Sequence, residues 1–328
     1  MEVFYLNIPW KINEKEYNCS SRDLYEWRRR GAVDIVQGTY FLVVGTIFTS
    51  IYMLVMIALM RGKLLSIPCY KLMFFNGFTD ILCLILGSHF VAYFQYNGTV
   101  FCSNVVLSHI IGHIVWSAWL GSSFGAVVLA FNRLVEMIPS MSAMRFLFTG
   151  KFINIWMVIC VALMVGRMFI TRPTIYNSAV GAFTATPFIS DDTQWEVAHY
   201  VSVLLPIHNI SVIAALVIFY SVICCYVIRI SRVANTCIDR VQIQLLVQAL
   251  VICASTAIAA GLYSVLVFIP VPKYVVVFAN AIWQLSQGIP GLVLIFLNRN
   301  IREEVKKLFK CEKKINRMFV LSSTVTNK

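Results

Sequence analysis

Seven stretches of this 328-residue chain are almost wholly apolar, at about 38–60, 72–94, 105–131, 152–170, 197–228, 243–269 and 274–297, with short polar connections between them. An α-helix of about 20 residues spans the roughly 30 Å hydrocarbon core of a bilayer, so each stretch is long enough to cross one. The pattern predicts an all-α membrane protein with a seven-transmembrane helix bundle over 38–297. Residues 1–37 form a polar N-terminal tail, 298–310 a short amphipathic juxtamembrane helix, and 311–328 a tail. The third stretch organises the rest. From His109 to Arg133 it carries no charge before its last residue, yet His109, His113 and Trp116 recur at i, i+4 and i+7 near one end, and Asn132 and Arg133 close the other. A helix with a polar, aromatic face at one end and a cation at the other has two working ends. The plainer reading is that this face only packs against neighbouring helices.

Composition agrees with the pattern. Hydrophobic residues make up 59% of the chain and charged residues 13%, and the mean hydropathy is +0.78, too little charge to cover the surface of a soluble domain. The ten cysteines form no CxxC pair and no zinc-type spacing, so most read as packing residues and no metal is expected. The net charge of +12 would suggest nucleic-acid binding in a soluble protein. Here it matters through its placement, and no nucleic acid is expected.

The tail before the first span holds six Lys/Arg against six Asp/Glu and no apolar h-region, so no cleavable signal peptide is expected. With the N-terminus outside and the C-terminus inside, 18 of the 27 Lys/Arg fall on the cytoplasmic side, as the positive-inside rule requires. Arg28, Arg29 and Arg30, just before the first span, argue the other way and are outvoted by three loops and the tail. Two N-glycosylation sequons, at Asn18 and Asn97, then share the outer side. A third, at Asn209, lies inside a span, where no glycan could attach.

Polar residues inside spans need partners. Asp80 is the only acidic residue well within one, at a cost of roughly 2.5–3.5 kcal/mol near a helix centre if it faced lipid as a charge. It must face inward. Asn76, Asp80, Cys83 and Gly87 repeat at helical spacing and place a polar, narrow stripe on the interior of the second span. A cation, buried water or protonation would each satisfy the carboxylate. In the seventh span Asn280, Gln284 and Gln287 form a similar stripe beside Trp283, and Pro290 should kink the helix behind them.

Together these features resemble a rhodopsin-like G-protein-coupled receptor, and the finer pattern is similar to the nematode serpentine chemoreceptors of class T. The residues that carry the resemblance are Tyr17-Asn-Cys-Ser20, Cys69-Tyr-Lys-Leu-Met73, Gly77-Phe-Thr-Asp80, Phe101-Cys102, Leu129-Ala-Phe-Asn-Arg133 and Phe296-Leu-Asn-Arg-Asn-Ile-Arg302, in that order along most of the chain. The resemblance implies a chemosensory receptor of the plasma membrane, in sensory cilia or on sensory neurons, with a small-molecule ligand, a heterotrimeric G protein and membrane lipids as partners. It implies no cofactor and no enzyme activity. Arg133 matches the arginine of the Asp/Glu-Arg-Tyr motif, Asp80 the sodium-site aspartate, and Pro290 the proline of Asn-Pro-x-x-Tyr. Asn132 stands where that first motif has an acid, Ile289 and Val293 depart from the last, and residues 243–269 lack a proline.

On this reading His109, His113, Trp116, Asn280, Trp283 and Gln284 are the candidate ligand-binding residues, and Asn132 and Arg133 face the G protein. Asn76 and Asp80 form the interior polar site. The resemblance also implies a disulfide at Cys102; the second outer loop, about 171–196, has no cysteine, and Cys19 is the expected partner. Ile301, Val305, Leu308 and Phe309 alternate with Arg302, Lys306, Lys307 and Lys310 in a helix expected to lie on the inner leaflet, with Cys311 at its end placed for palmitoylation. The competing readings are a ligand-gated channel with its N-terminus inside, or a transporter. The chain shows no paired half-repeats or broken helices of the transporter kind, no intraspan lysine of the retinal kind in the seventh span, and no catalytic constellation.

Overall fold

The computed structural model describes residues 4–234, 240–269 and 271–309. Among the described residues seven helices are long and apolar enough to cross a membrane, with the first six at Ile35–Arg61, Pro68–Tyr96, Val105–Met137, Phe152–Ile170, Leu204–Ile230 and Val247–Val267, and the last at Lys273–Leu297. They form one bundle in which the third contacts the second, fourth, fifth and sixth, while the seventh closes the ring against the first, second and sixth. Local chemistry sets several of the ends. Asp34 caps the first helix by accepting from the backbone N–H of Gln37, Gly62 closes it, and Pro68 opens the second at a position that needs no N–H donor.

Several boundaries differ from those the hydropathy predicts. The third helix runs on to Met137 and stops at Ile138, whose extended backbone is what a following proline demands, here Pro139. The fifth helix begins at Leu204 rather than near 197, because residues Thr193–Tyr200 form a separate helix capped by Asp192 and the chain is extended at Val201. Pro206 then falls in the first turn, where its missing N–H costs nothing. The second helix loosens to a π-helix over Ile85–Phe90.

Between the fourth and fifth helices the loop folds into an antiparallel hairpin, β1 (Ile175–Asn177) and β2 (Ala182–Thr184), with Ile175 opposite Thr184. The hairpin lies across one mouth of the bundle. Tyr176 stacks on Phe94 at 5.3 Å and donates to Gln95 at 2.8 Å, and Gln37 donates to the carbonyl of Gly181. Gly112 makes this docking possible. A Cβ there would sit 2.1 Å from the carbonyl oxygen of Thr174. The N-terminal segment covers the rest of the same mouth, with Tyr17, Trp27, Phe101, Ile175 and Tyr200 in one buried cluster.

At the opposite mouth, a helix over residues 299–309 follows the seventh span. Its apolar side differs from expectation. Ile301 and Val305 are buried against Leu59, Cys69 and Met73 of the first two helices, while Phe309 is more than half exposed. Cys311, Lys310 and the tail 311–328 lie outside the described residues.

Candidate functional site

A cavity of about 340 Å³ opens beneath the hairpin, at the end of the bundle that carries the N-terminal segment. Trp116 and Trp119 of the third helix, Leu205 of the fifth, Tyr263 and Leu266 of the sixth and Trp283 of the seventh form its inner wall, and Phe183, Thr184 and Phe188 cover it. Among the described residues no charged side chain lines it. The polar groups of this wall are turned into the bundle: Trp119 donates to Asn209 at 3.0 Å, and Tyr263 donates to Asn280 at 2.9 Å. Trp119 and Tyr263 meet the Trp283 ring edge-on at 6.5 and 6.2 Å. The site is an apolar, aromatic slot of the size that takes a small molecule.

Of the six residues expected to bind ligand, Trp116 and Trp283 line this cavity. His109, His113, Asn280 and Gln284 do not. The two histidines are buried, their rings 4.9 Å apart, with His109 against Tyr17 of the N-terminal segment and beside the carbonyl of Pro9. The helix turns about 100° per residue, so His113 and Trp119, six positions apart, point about 120° apart and cannot share one pocket. Asn280 accepts from Tyr263, while Gln284 donates to Ser88 and to the carbonyl of Phe41 at 2.8 and 3.0 Å. These amides join helices rather than face the cavity. The π-helix and Gly87 make that junction close, since a Cβ at Gly87 would lie 2.3 Å from the Trp283 ring.

Arg167 stands in the last turn of the fourth helix. It is 4% exposed, donates to the carbonyls of His113 and Arg172 at 2.8 and 2.9 Å, and lies 4.7 Å from the centre of Trp116. Backbone carbonyls and a π face thus stabilise a buried guanidinium behind the cavity wall.

Midway along the bundle, one oxygen of Asp80 accepts from Tyr52 at 2.5 Å and the other lies 2.6 Å from the Ser122 hydroxyl, which is also 2.8 Å from Oε1 of Gln287. Four helices meet at this knot. Asn76, one turn away, packs against Gly125, where a Cβ would lie 2.1 Å from its Oδ1. A narrow cavity of about 40 Å³ leads from Asp80 past Gln248 to Arg133. Arg133 pairs with Glu136 at 3.2 Å, one turn on. Asn132 is fully buried, and neither of its amide atoms has a hydrogen-bond partner among the described residues; a G protein could not touch it in this arrangement.

On the mouth that carries the N-terminal segment, Cys19 and Cys102 are joined in a disulfide with Cα atoms 5.6 Å apart. Asn18 is exposed beside it, and its Oδ1 accepts from the N–H of Ser20. Asn97 is exposed at the end of the second helix, where its side-chain amide donates to the carbonyl of Tyr93. Glu16, next to Tyr17, takes up Arg172 and His199, each at 2.7 Å. Arg22 and Arg30 both pair with Asp191. Among the described residues no cluster of His, Cys, Asp and Glu could hold a metal ion.

Seven apolar helices around an aromatic cavity define a multi-pass membrane protein of the serpentine receptor class. The chain belongs to the serpentine type 7TM GPCR chemoreceptor Srt family, whose model it matches over residues 2–318. It is similar to Serpentine receptor class T-55 of Caenorhabditis elegans, 25% identical over 307 residues that cover 92% of this chain and 82% of that protein. This is a receptor family rather than an enzyme family.

Proposed function

We propose that the protein is a chemosensory receptor of the plasma membrane that binds a small extracellular cue in the cavity under the hairpin and activates a heterotrimeric G protein from the opposite mouth. The observation that carries this reading is the uncharged cavity walled by Trp116, Trp119 and Trp283 at one end of the third helix, with Arg133 at the other. An N-terminus on the outer side accounts for the charge distribution and puts the Cys19–Cys102 pair, Asn18 and Asn97 in an oxidising, glycosylating compartment. Arg30, drawn to Asp191, no longer counts fully against that orientation. Ligand preference for the arrangement that exposes Arg133 is the mechanism; full conversion from 1:99 to 99:1 takes about 5.5 kcal/mol of differential binding.

The test is G-protein activation by neutral volatile and water-soluble compounds in cells with the receptor at the surface. With an agonist in hand, Trp116→Ala should raise the half-maximal concentration at least about tenfold, equivalent to ~1.4 kcal/mol. Arg133→Ala should remove or alter signalling while binding persists. Unchanged potency in Trp116→Ala together with normal coupling in Arg133→Ala would defeat the proposal.

A further inference from the structure

The cover of the cavity contains a residue whose backbone does not suit it. Phe188 has φ +57°, in the left-handed region that glycine tolerates and a bulky residue rarely adopts. Such a conformation persists only where its surroundings hold it. What holds it is Glu196. This side chain is 1% exposed, and its two carboxylate oxygens accept the backbone N–H groups of Phe188 at 2.8 Å and Ser190 at 2.6 Å. Burial raises its carboxyl above the usual range, and the backbone amides of Ser190, Phe188 and Ile189, with the charge of Arg30, work against that rise. The helix Thr193–Tyr200 that carries Glu196 also places Val197 on the cavity wall, so the residue that grips the loop and the residue that lines the pocket are neighbours.

We infer that Phe188 is a specificity-determining residue of the ligand cavity and that Glu196 is the positioning residue that holds it there. The inference rests on the proposed reading of the cavity as the ligand site. Phe188 lines the cavity, so its bulky side chain takes up room that would otherwise be open to an uncharged ligand. Removing either the ring or the carboxylate that holds it lengthens the space toward the hairpin without touching the inner wall of Trp116, Trp119 and Trp283.

The test uses a homologous series of neutral methyl ketones, from four to twelve carbons, as probes for purified receptor in lipid nanodiscs. Binding is the rise in melting temperature that disappears when Val201→Trp fills the cavity. In the wild type one chain length should bind best. Phe188→Gly suits the left-handed backbone and should fold as well as the wild type, yet weaken that probe about tenfold, the discrimination of one or two methylenes, while longer ketones gain. Glu196→Ala should move the optimum the same way, and Glu196→Gln, which keeps one acceptor oxygen, should restore part of it. A change of preferred length is not what mere loss of stability produces. An unchanged optimum in both Phe188→Gly and Glu196→Ala overturns this inference and leaves the cavity reading standing. Absence of any Val201-sensitive binding in the wild type overturns both.

Discussion

The knot around Asp80 makes a demand that hydrogen counting exposes. The Ser122 hydroxyl has one proton, yet it lies within hydrogen-bond distance of two acceptors, Asp80 Oδ1 at 2.6 Å and Gln287 Oε1 at 2.8 Å. A neutral carboxyl resolves this: Asp80 donates to Ser122, Ser122 donates to Gln287, and Tyr52 donates to the other carboxyl oxygen. An ionised carboxylate instead leaves Gln287 without the Ser122 proton and a charge within the bundle. Asparagine at position 80 reproduces the neutral pattern, with its amide N–H facing Ser122 and its carbonyl facing Tyr52. Asp80→Asn should therefore change stability by less than about 1 kcal/mol. Asp80→Ala leaves the buried Tyr52 hydroxyl without an acceptor, at about 1–3 kcal/mol, and opens a small void worth roughly another 1 kcal/mol. Its expected loss is about 2–4 kcal/mol. The assay is the melting temperature of wild type and both variants in nanodiscs, in sodium and in choline chloride. If Asn is as damaging as Ala, or if sodium stabilises the wild type and not Asp80→Asn, the carboxylate is ionised and the hydrogen accounting is wrong.

Two further outcomes follow from the covered mouth. Cys19→Ser or Cys102→Ser removes the bond that closes an 83-residue separation and should lower stability by about 2–4 kcal/mol, read as reduced surface expression and melting temperature; peptide mapping without reductant that finds both thiols alkylated in the wild type would refute the bridge. Gly112→Ala forces a Cβ to within 2.1 Å of the Thr174 carbonyl, which is backbone and cannot swing aside, so about 1–3 kcal/mol of overpacking should appear as faster amide exchange in β1 and β2, and exchange at wild-type rates would show that the hairpin does not rest on that glycine.

The spans were legible because a crossing helix needs some 20 apolar residues and nothing else in the chain mimics that length. The start of the fifth was not, since Val197 and Val201 extend an apolar run that the extended backbone at Val201 interrupts. Hairpin strands of three residues carry no readable alternation. Trp116 and Trp283 stood out as large aromatics beside polar residues, whereas nothing in the spacing of Tyr52 and Trp119 sets them apart from other aromatics of the apolar spans. Asn209 was visible as a misplaced sequon, and its expense inside a span was the signal that it held a partner, Trp119. His109 and His113 misled because shared helical spacing identifies a face but not the neighbour it meets. That face turns to the N-terminal segment, which only the folded tail reveals.

The arrangement also says where a ligand's push would travel. Trp119 and Trp283 touch the cavity, and each lies about one turn from a member of the Asp80 knot on its own helix: Ser122 three residues on and Gln287 four residues on. A ligand that separates the two indoles, now 6.5 Å apart, would act on the Ser122–Gln287 contact from both sides. From Trp119 to Arg133 is 14 residues, about 21 Å along a helix, and the narrow cavity lined by Asp80, Ser122, Ala126, Leu129 and Arg133 occupies that interval. A chain of packed groups with one arrangement would carry nothing. The knot can have two, because a carboxyl can lose its proton: with Asp80 neutral the Ser122 proton goes to Gln287, and with Asp80 ionised it goes to Asp80. Asp80→Asn, although expected to be stable, holds only the first arrangement, and agonist efficacy should change in it if the knot is the bistable element.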